Sequence, residues 1–582
     1  MTSHTNVRIV ARPVPESPDL PAEIHPLLQR VYAARGVSSA AELERSLAGL
    51  PAPELMLGMA EAVAIVGAAI AQHQSILIVG DFDADGATSS ALAVLALRAM
   101  GAHCVDYLVP NRFEYGYGLT PEIVELAAER KPDLIITVDN GIASVEGVAR
   151  AHQHNIAVVV TDHHLPGEQL PAAAAIVNPN QYGCNFPHKN LAGVGVIFYL
   201  MLGLRSALRE SGWFDAQRIR EPNLADLLDI VALGTVADVV PLDELNRKLV
   251  WQGVQRIRAG RCRPGINALM KVAGRDCARA VASDMGFTVG PRLNAAGRLD
   301  DMSLGIECLL ADDPNYAENC ARQLDELNRD RRAIEQQMQQ EALAQVASLK
   351  LDEADMPWGL TLFQAEWHQG IVGLLASRIR EKYHRPVFAF APGEDGQLKG
   401  SGRSITGLHL RDVLVLMDAR YPHLIGRFGG HAMAAGLTLA APNLELFRAR
   451  FDATVRELLS ADELDAVLHT DGELTADDFE LATAHLLREA GPWGQHFPEP
   501  QFEGEFELLE QRIVGSNHLK LRLKSAAGQA IDAIHFNCDL AIWPDATITR
   551  ARAVYKLDVN EWRGVERLQL LVDYLEPICH GG

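Results

Sequence analysis

Three short segments carry most of the side chains able to do chemistry. Asp81-Phe82-Asp83-Ala84-Asp85-Gly86 follows the apolar run ILIVG, Asp139-Asn140-Gly141 follows LIITV, and Asp162-His163-His164 follows AVVVT. A fourth candidate acid, Asp238, lies in LGTVADVVP after an apolar helical stretch. Several carboxylates packed together repel and raise one another's pKa values unless cations neutralise them. Oxygen donors with one or two imidazoles suit Mn²⁺ or Mg²⁺ better than a thiolate-seeking metal. Two such ions, about 3.5–4 Å apart, support phosphoester hydrolysis by acidifying the attacking water and stabilising the leaving oxygen. Each segment alone is a weak signal, since an Asp at a strand end is more often a helix cap or turn former. Their joint occurrence on successive strands points to a dinuclear phosphoesterase.

These segments meet only if the elements before them share one edge. Apolar runs Ser75 to Gly80, Cys104 to Val109, Leu134 to Val138, Ala157 to Val160 and Ala175 to Val177 alternate with helical stretches such as Ala87 to Met100, Pro121 to Arg130 and Ser144 to Asn155. Short β-rich runs separated by helices imply crossovers, hence an α/β fold with a mostly parallel sheet covered on both faces. Ligands then bind outside the carboxyl ends of the strands. From Ala317 to about Val346 a polar helix with a stripe of Leu324, Leu327, Ile334 and Met338 predicts a connector. A second, smaller α/β block runs from Gly359 to about Leu459, and short alternating runs after Leu464 predict a small β-barrel. The expected boundaries are an N-terminal arm or cap over 1–60, the catalytic block over 61–310, the connecting helix over 311–350, the second block over 351–460 and the barrel over 461–582.

GDFDADG, VDNG, DHH and GTVADVVP, in this order and at these separations, resemble the four motifs of the DHH phosphoesterases. The resemblance implies Asp83, Asp85, Asp139, His163 and Asp238 as metal ligands, Asp139 as the bridging carboxylate, and Asp81 and His164 beside the metals. Val79 stands where many members carry a metal-binding histidine. The same resemblance makes the second block a DHHA1-like substrate-binding domain and the barrel an OB-fold-like one.

Further segments fit a phosphate-bearing polymer. Arg112, Tyr115 and Tyr117 follow the second strand; arginine grips phosphate in a fork and aromatics stack on bases. GPRLNAAGRL puts Arg292 and Arg298 in an expected glycine-rich loop, and WHQGIVG, SGRS and GGHAMAAG supply His368, Ser401, Arg403 and His431. By resemblance Arg112, Arg298, Ser401 and Arg403 hold a terminal 5′-phosphate, while His368 and His431 face the scissile phosphate or its neighbours. In HLKLRLK, alternation puts Lys520, Arg522 and Lys524 on one strand face as an expected basic stripe for single-stranded DNA.

The chain has 582 residues and a formal net charge of −22, which by itself argues against a protein that coats a polyanion. Eight scattered cysteines without a CxxC pair, no signal-peptide pattern and no long apolar run predict a reducing, cytoplasmic setting away from membranes. The resemblance implies a 5′-to-3′ exonuclease that hydrolyses single-stranded DNA to nucleoside 5′-phosphates with two divalent cations, Mn²⁺ or Mg²⁺. It further implies recombination and repair, beside a single-strand-binding protein and a RecQ-type helicase, and a monomer is expected. The alternatives are a DHH hydrolase of short oligonucleotides, cyclic dinucleotides or pyrophosphate, and a noncatalytic replication scaffold of the same fold.

Overall fold

The computed structural model describes residues 7–15, 20–110, 115, 118–349 and 356–578. Its central sheet is parallel, in the order β3 (Val105–Leu108), β2 (Ile76–Gly80), β4 (Leu134–Val138), β5 (Ala157–Thr161), β6 (Ala175–Val177). β2 and β4 are buried at every position, as strands with helices on both faces must be. From β2 the chain moves outward to β3 and then returns to place β4 on the other side of β2. The order therefore reverses between β2 and β4, the position at which open α/β sheets bind ligands.

The connecting helix, Pro314–Leu349, is 36 residues long, about 54 Å at 1.5 Å per residue. Ala317, Cys320, Ala321 and Leu324 join the core of the catalytic block, whereas Met338, Ala342 and Val346 join that of the second block. One apolar stripe thus fixes two bodies to one rod. The second block holds a mixed sheet, β10 (Phe428–Gly430), β11 (Ala434–Ala440), β9 (Gln397–Arg403), β8 (Val387–Pro392), β7 (Leu360–Phe363), in which β7 and β8 are parallel.

β13 (Phe502–Val514), β14 (His518–Lys524), β15 (Ala530–His535), β17 (Val565–Pro577) and β16 (Arg550–Trp562) close a barrel. The N-terminal segment is built into this last block. β1 (Val7–Ala11) pairs in parallel with β12 (Ala466–Thr470), and helix Pro26–Ala33 buries Leu27, Leu28, Val31 and Tyr32 in the barrel's core. Arg35 and Asp471 lock the arrangement in a buried, two-pronged ion pair at 2.7 and 3.0 Å. Among the described residues no single helix is long and apolar enough to cross a membrane.

One expectation is corrected. Gly290 to Leu299 is a helix, not a glycine-rich loop, and it follows a π-helical turn, Met285–Val289. Its glycine serves close packing: a Cβ on Gly297 would stand 1.8 Å from the Phe82 carbonyl oxygen. Arg292 is consequently buried and paired with Asp325 of the connecting helix at 2.9 Å.

Candidate metal centre and nucleic-acid interface

The register pairs Gly80 with Val138 and Val138 with Thr161. The next residue of each strand is an acid, so Asp81, Asp139 and Asp162 stand in a row on the carboxyl edge. Donor atoms gather there in three overlapping groups, Asp81/Asp83/Asp139, Asp139/His163/His164 and Asp85/His163/Asp238, each with its donors within 4.8 Å of one another. Asp139 is common to the first two groups and His163 to the last two. All seven residues assigned to or beside the metals by resemblance are therefore brought together.

Local structure explains how each is held. Asp83 caps helix Ala84–Ala99, its Oδ1 accepting from the Asp85 and Gly86 amides at 2.9 and 3.1 Å. Asp85, in the first turn of that helix, accepts from the Gly193 and Val194 amides at 2.6 and 2.9 Å and so caps helix Gly193–Glu210 from outside. Asp139 adopts φ of +61°, in the left-handed region that Asp tolerates better than most residues. Asp238 closes the C-terminal end of helix Leu228–Ala237.

His163 Nε2 lies 3.1 Å from Asp139 Oδ1 and 3.5 Å from Asp238 Oδ2. Buried His163 Nε2 and Asp238 Oδ2 take no hydrogen-bond partner among the described residues, as befits atoms whose partner is a cation. Burial first, then neighbouring acids, raise Asp85 and Asp238 to about 7 and Asp139 well above its usual range. Burial and the adjacent His164 lower His163, which keeps its imidazole neutral and able to coordinate. Burial alone would lower His164 too, but its 2.7 Å Nδ1 contact with Asp162 carries it up to about 9. Oxygen donors, a neutral imidazole and mutual acid repulsion all fit hard divalent cations.

Several positioning residues were not identified from the sequence. Asp162 accepts from the Ile142 amide at 2.9 Å as well as holding His164. Asn178 and Asn180 donate to the carbonyls of His164 and His163 at 2.9 and 2.6 Å. Asn294 accepts from the Ala84 amide at 2.9 Å, bracing the first acidic loop from helix Gly290–Leu299. Nothing in the sequence near Asn294 signals this partner, whereas Asp162 sits inside a motif already singled out.

The second block offers an anion site. Arg403 Nη1 lies 3.1 Å from Ser401 Oγ, and a Cβ on Gly373, in the first turn of helix Val372–Tyr383, would lie 3.0 Å from Ser401 Oγ and from the Arg403 guanidinium. Serine, guanidinium and helix N-terminus therefore converge, which suits a phosphate. Burial and then Arg380 lower the Arg403 pKa, and among the described residues no carboxylate pairs with it. Arg298 Nη1 donates to the Gly370 carbonyl at 3.1 Å, and His368 Nδ1 accepts from the Gly370 amide at 3.1 Å, both in the loop leading to that helix. His431 is lowered by burial and then by the charge of His164, a residue of the metal centre. Arg112 and Tyr117 lie outside the described residues.

The expected stripe on β14 (His518–Lys524) keeps its alternation but is partly offset in charge. Leu519, Leu521 and Leu523 are buried as alternation requires, but Arg522 is flanked across the ladder by Glu510 and Asp532, and Lys524 Nζ is 2.9 Å from Glu507 Oε2. Arg522 and Lys524 thus lie beside acids that one strand's sequence cannot reveal, whereas Lys520 stands between Arg512 and Ile534.

Residues 75–235 match the DHH family N-terminal domain, 340–457 the DHHA1 domain and 470–574 the RecJ OB domain. The single-stranded-DNA-specific exonuclease RecJ of Dickeya dadantii is 57% identical over 97% of this chain and 98% of its own length. The chain belongs to the RecJ family. RecJ of Thermus thermophilus in complex with Mn²⁺ superposes with a TM-score of 0.79 at 28% identity, covering 99% of this chain and 80% of that one. RecJ from the same organism in complex with Mg²⁺ gives 0.74 at 27% identity, with the same coverage. The parallel-sheet block, the DHHA1 domain and the OB barrel are thus the RecJ architecture, and the acidic rim lies in its DHH domain.

Proposed function

We propose that this RecJ-family chain is a metal-dependent exonuclease specific for single-stranded DNA. The observation that carries the reading is the meeting of three overlapping cation-ready triads, linked through Asp139 and His163, with an Arg403–Ser401 anion site presented by the second block. Bound at these triads, Mn²⁺ or Mg²⁺ supplies Lewis acidity toward a phosphodiester and a water of lowered pKa. The chain's own residues position and neutralise. Asp83, Asp85, Asp139, His163 and Asp238 form the ligand set with Asp81 at its edge, and Asp162 holds His164 in place beside the reacting phosphate. Arg298, Ser401 and Arg403 hold a terminal phosphate, and His368 and His431 line the gap between.

The finer reading is 5′-to-3′ polarity with release of nucleoside 5′-phosphates, in cytoplasmic recombination and repair. A monomer working beside a single-strand-binding protein and a RecQ-type helicase completes it. An anion site apart from the metal triads suits a terminal phosphate at a set distance from the bond that reaches the metals. Family membership supports the rest.

The test is hydrolysis of 5′-labelled and 3′-labelled single strands with Mn²⁺ or Mg²⁺, beside Asp139→Ala. Mononucleotides released first from the 5′ label are expected from the wild type, and none from Asp139→Ala. Intact long strands with the wild type, or equal degradation by the variant, would refute the reading.

A further inference from the structure

We propose that Phe287 is a base-stacking platform on the path of single-stranded DNA leaving the metal centre, a step that rests on the exonuclease reading above. Phe287 is 80% exposed, while Met285, Thr288 and Val289 of the same turn are buried. That turn is the π-helical segment Met285–Val289, a geometry that is rare and recurs at functional sites.

The turn lies against the segment that delivers Asp238. A Cβ on Gly286 would stand 3.2 Å from Val236 Cγ1, and one on Gly290 would stand 3.1 Å from Ala237 Cβ. Immediately after Asp238, Val239 adopts φ of +63° and is 61% exposed. A β-branched residue is costly in that region, so the fold keeps two apolar side chains in water beside one candidate metal ligand. Apolar groups exposed next to a polar centre mark a ligand surface. Every nucleobase offers a π-face, so an aromatic suits a strand of any sequence.

The helical segment also gives a ruler. It runs from Phe287, past Asn294, which accepts from the Ala84 amide, to Arg298, which donates to the Gly370 carbonyl. Eleven residues at 1.5 Å each give about 16 Å, or at most about five nucleotides at a stacked spacing of about 3.4 Å. With the terminal phosphate near Arg298, the base that meets Phe287 falls within the second to fifth nucleotides.

The experiment places 2-aminopurine singly at positions two to eight of a 5′-phosphorylated strand. The strand is bound to the full chain with Mg²⁺ in an Asp139→Asn background so that it survives. Quenching is expected at one position between two and five, lost in Phe287→Ala and Phe287→Leu and retained in Phe287→Trp. On the active background Phe287→Ala is expected to raise KM for long single strands about tenfold, with kcat at saturation and hydrolysis of a small chromogenic phosphodiester unchanged. Identical quenching in Phe287→Ala and its parent, or an unchanged KM, overturns the proposal while leaving the exonuclease reading standing. A wild type that leaves single strands intact fails the exonuclease reading itself, and this proposal with it.

Discussion

Gly193 approaches Asp139 so closely that a methyl group on it would stand 2.6 Å from the Asp139 Cβ and 2.8 Å from its Oδ1. The amide of the same glycine donates to Asp85 at 2.6 Å. One backbone position therefore sets two acids, one after β4 and one in the first turn of helix Ala84–Ala99. Gly193→Ala is expected to displace Asp139. Overpacking of this kind costs about 1–3 kcal/mol, and here it falls on the metal geometry. Single-strand hydrolysis should drop by about tenfold or more, with weaker Mn²⁺ binding by calorimetry. Wild-type rates in Gly193→Ala would show that the contact relaxes without consequence.

Asn294 reaches the first acidic loop from a helix 210 residues further along the chain. Asn294→Ala leaves the Ala84 amide without that acceptor, and loss of such outer contacts typically weakens a metal site by about 10–100-fold. Mn²⁺ titration of metal-free protein should show this loss, with little change in KM for single strands once metal is saturating.

The metal-free centre makes stability depend on pH with a definite sign. Asp85 and Asp238 are raised to about 7, and Asp139 well above its usual range, by burial first. Unfolded carboxyls titrate near about 4, so the fold binds these protons more tightly than the unfolded chain does. Their contribution to stability is complete below about pH 4 and is lost as pH rises through the folded values. Tm of EDTA-treated protein should therefore fall between pH 6 and pH 8. Added Mn²⁺ should raise Tm more at pH 8 than at pH 6, and equal increments at both would contradict the assignment.

On the barrel, Glu507 and Glu510 oppose Lys524 and Arg522 across β13 and β14. Replacing both glutamates by glutamine is expected to tighten single-strand binding a few-fold and steepen its decline with log salt. Fluorescence anisotropy at several salt concentrations reads both. No change would place the strand's path away from β14.

The strands and their terminal acids were legible because both signals are local: an apolar run predicts a buried parallel strand, and the acid follows it directly. Gly290–Leu299 misled because a glycine that admits a neighbouring carbonyl, as Gly297 admits that of Phe82, looks in sequence like one that makes a turn. The charge around the basic stripe was not legible because alternation reports a strand's own faces and not its neighbours, here Glu510 and Asp532 beside Arg522. Asn294 and Gly193 were invisible for the same reason, since each acts through a residue far along the chain. The N-terminal segment read only as an arm or cap because the strand that completes β1 begins at Ala466.

That last pairing bears on how the protein is made. β1 is made well before its partner, and at about 5–20 residues per second roughly 25–90 s pass before β12 is synthesised. During that interval Leu27, Leu28, Val31 and Tyr32 have no barrel to enter. The nascent chain must carry this apolar helix without its barrel partner until the last block is made.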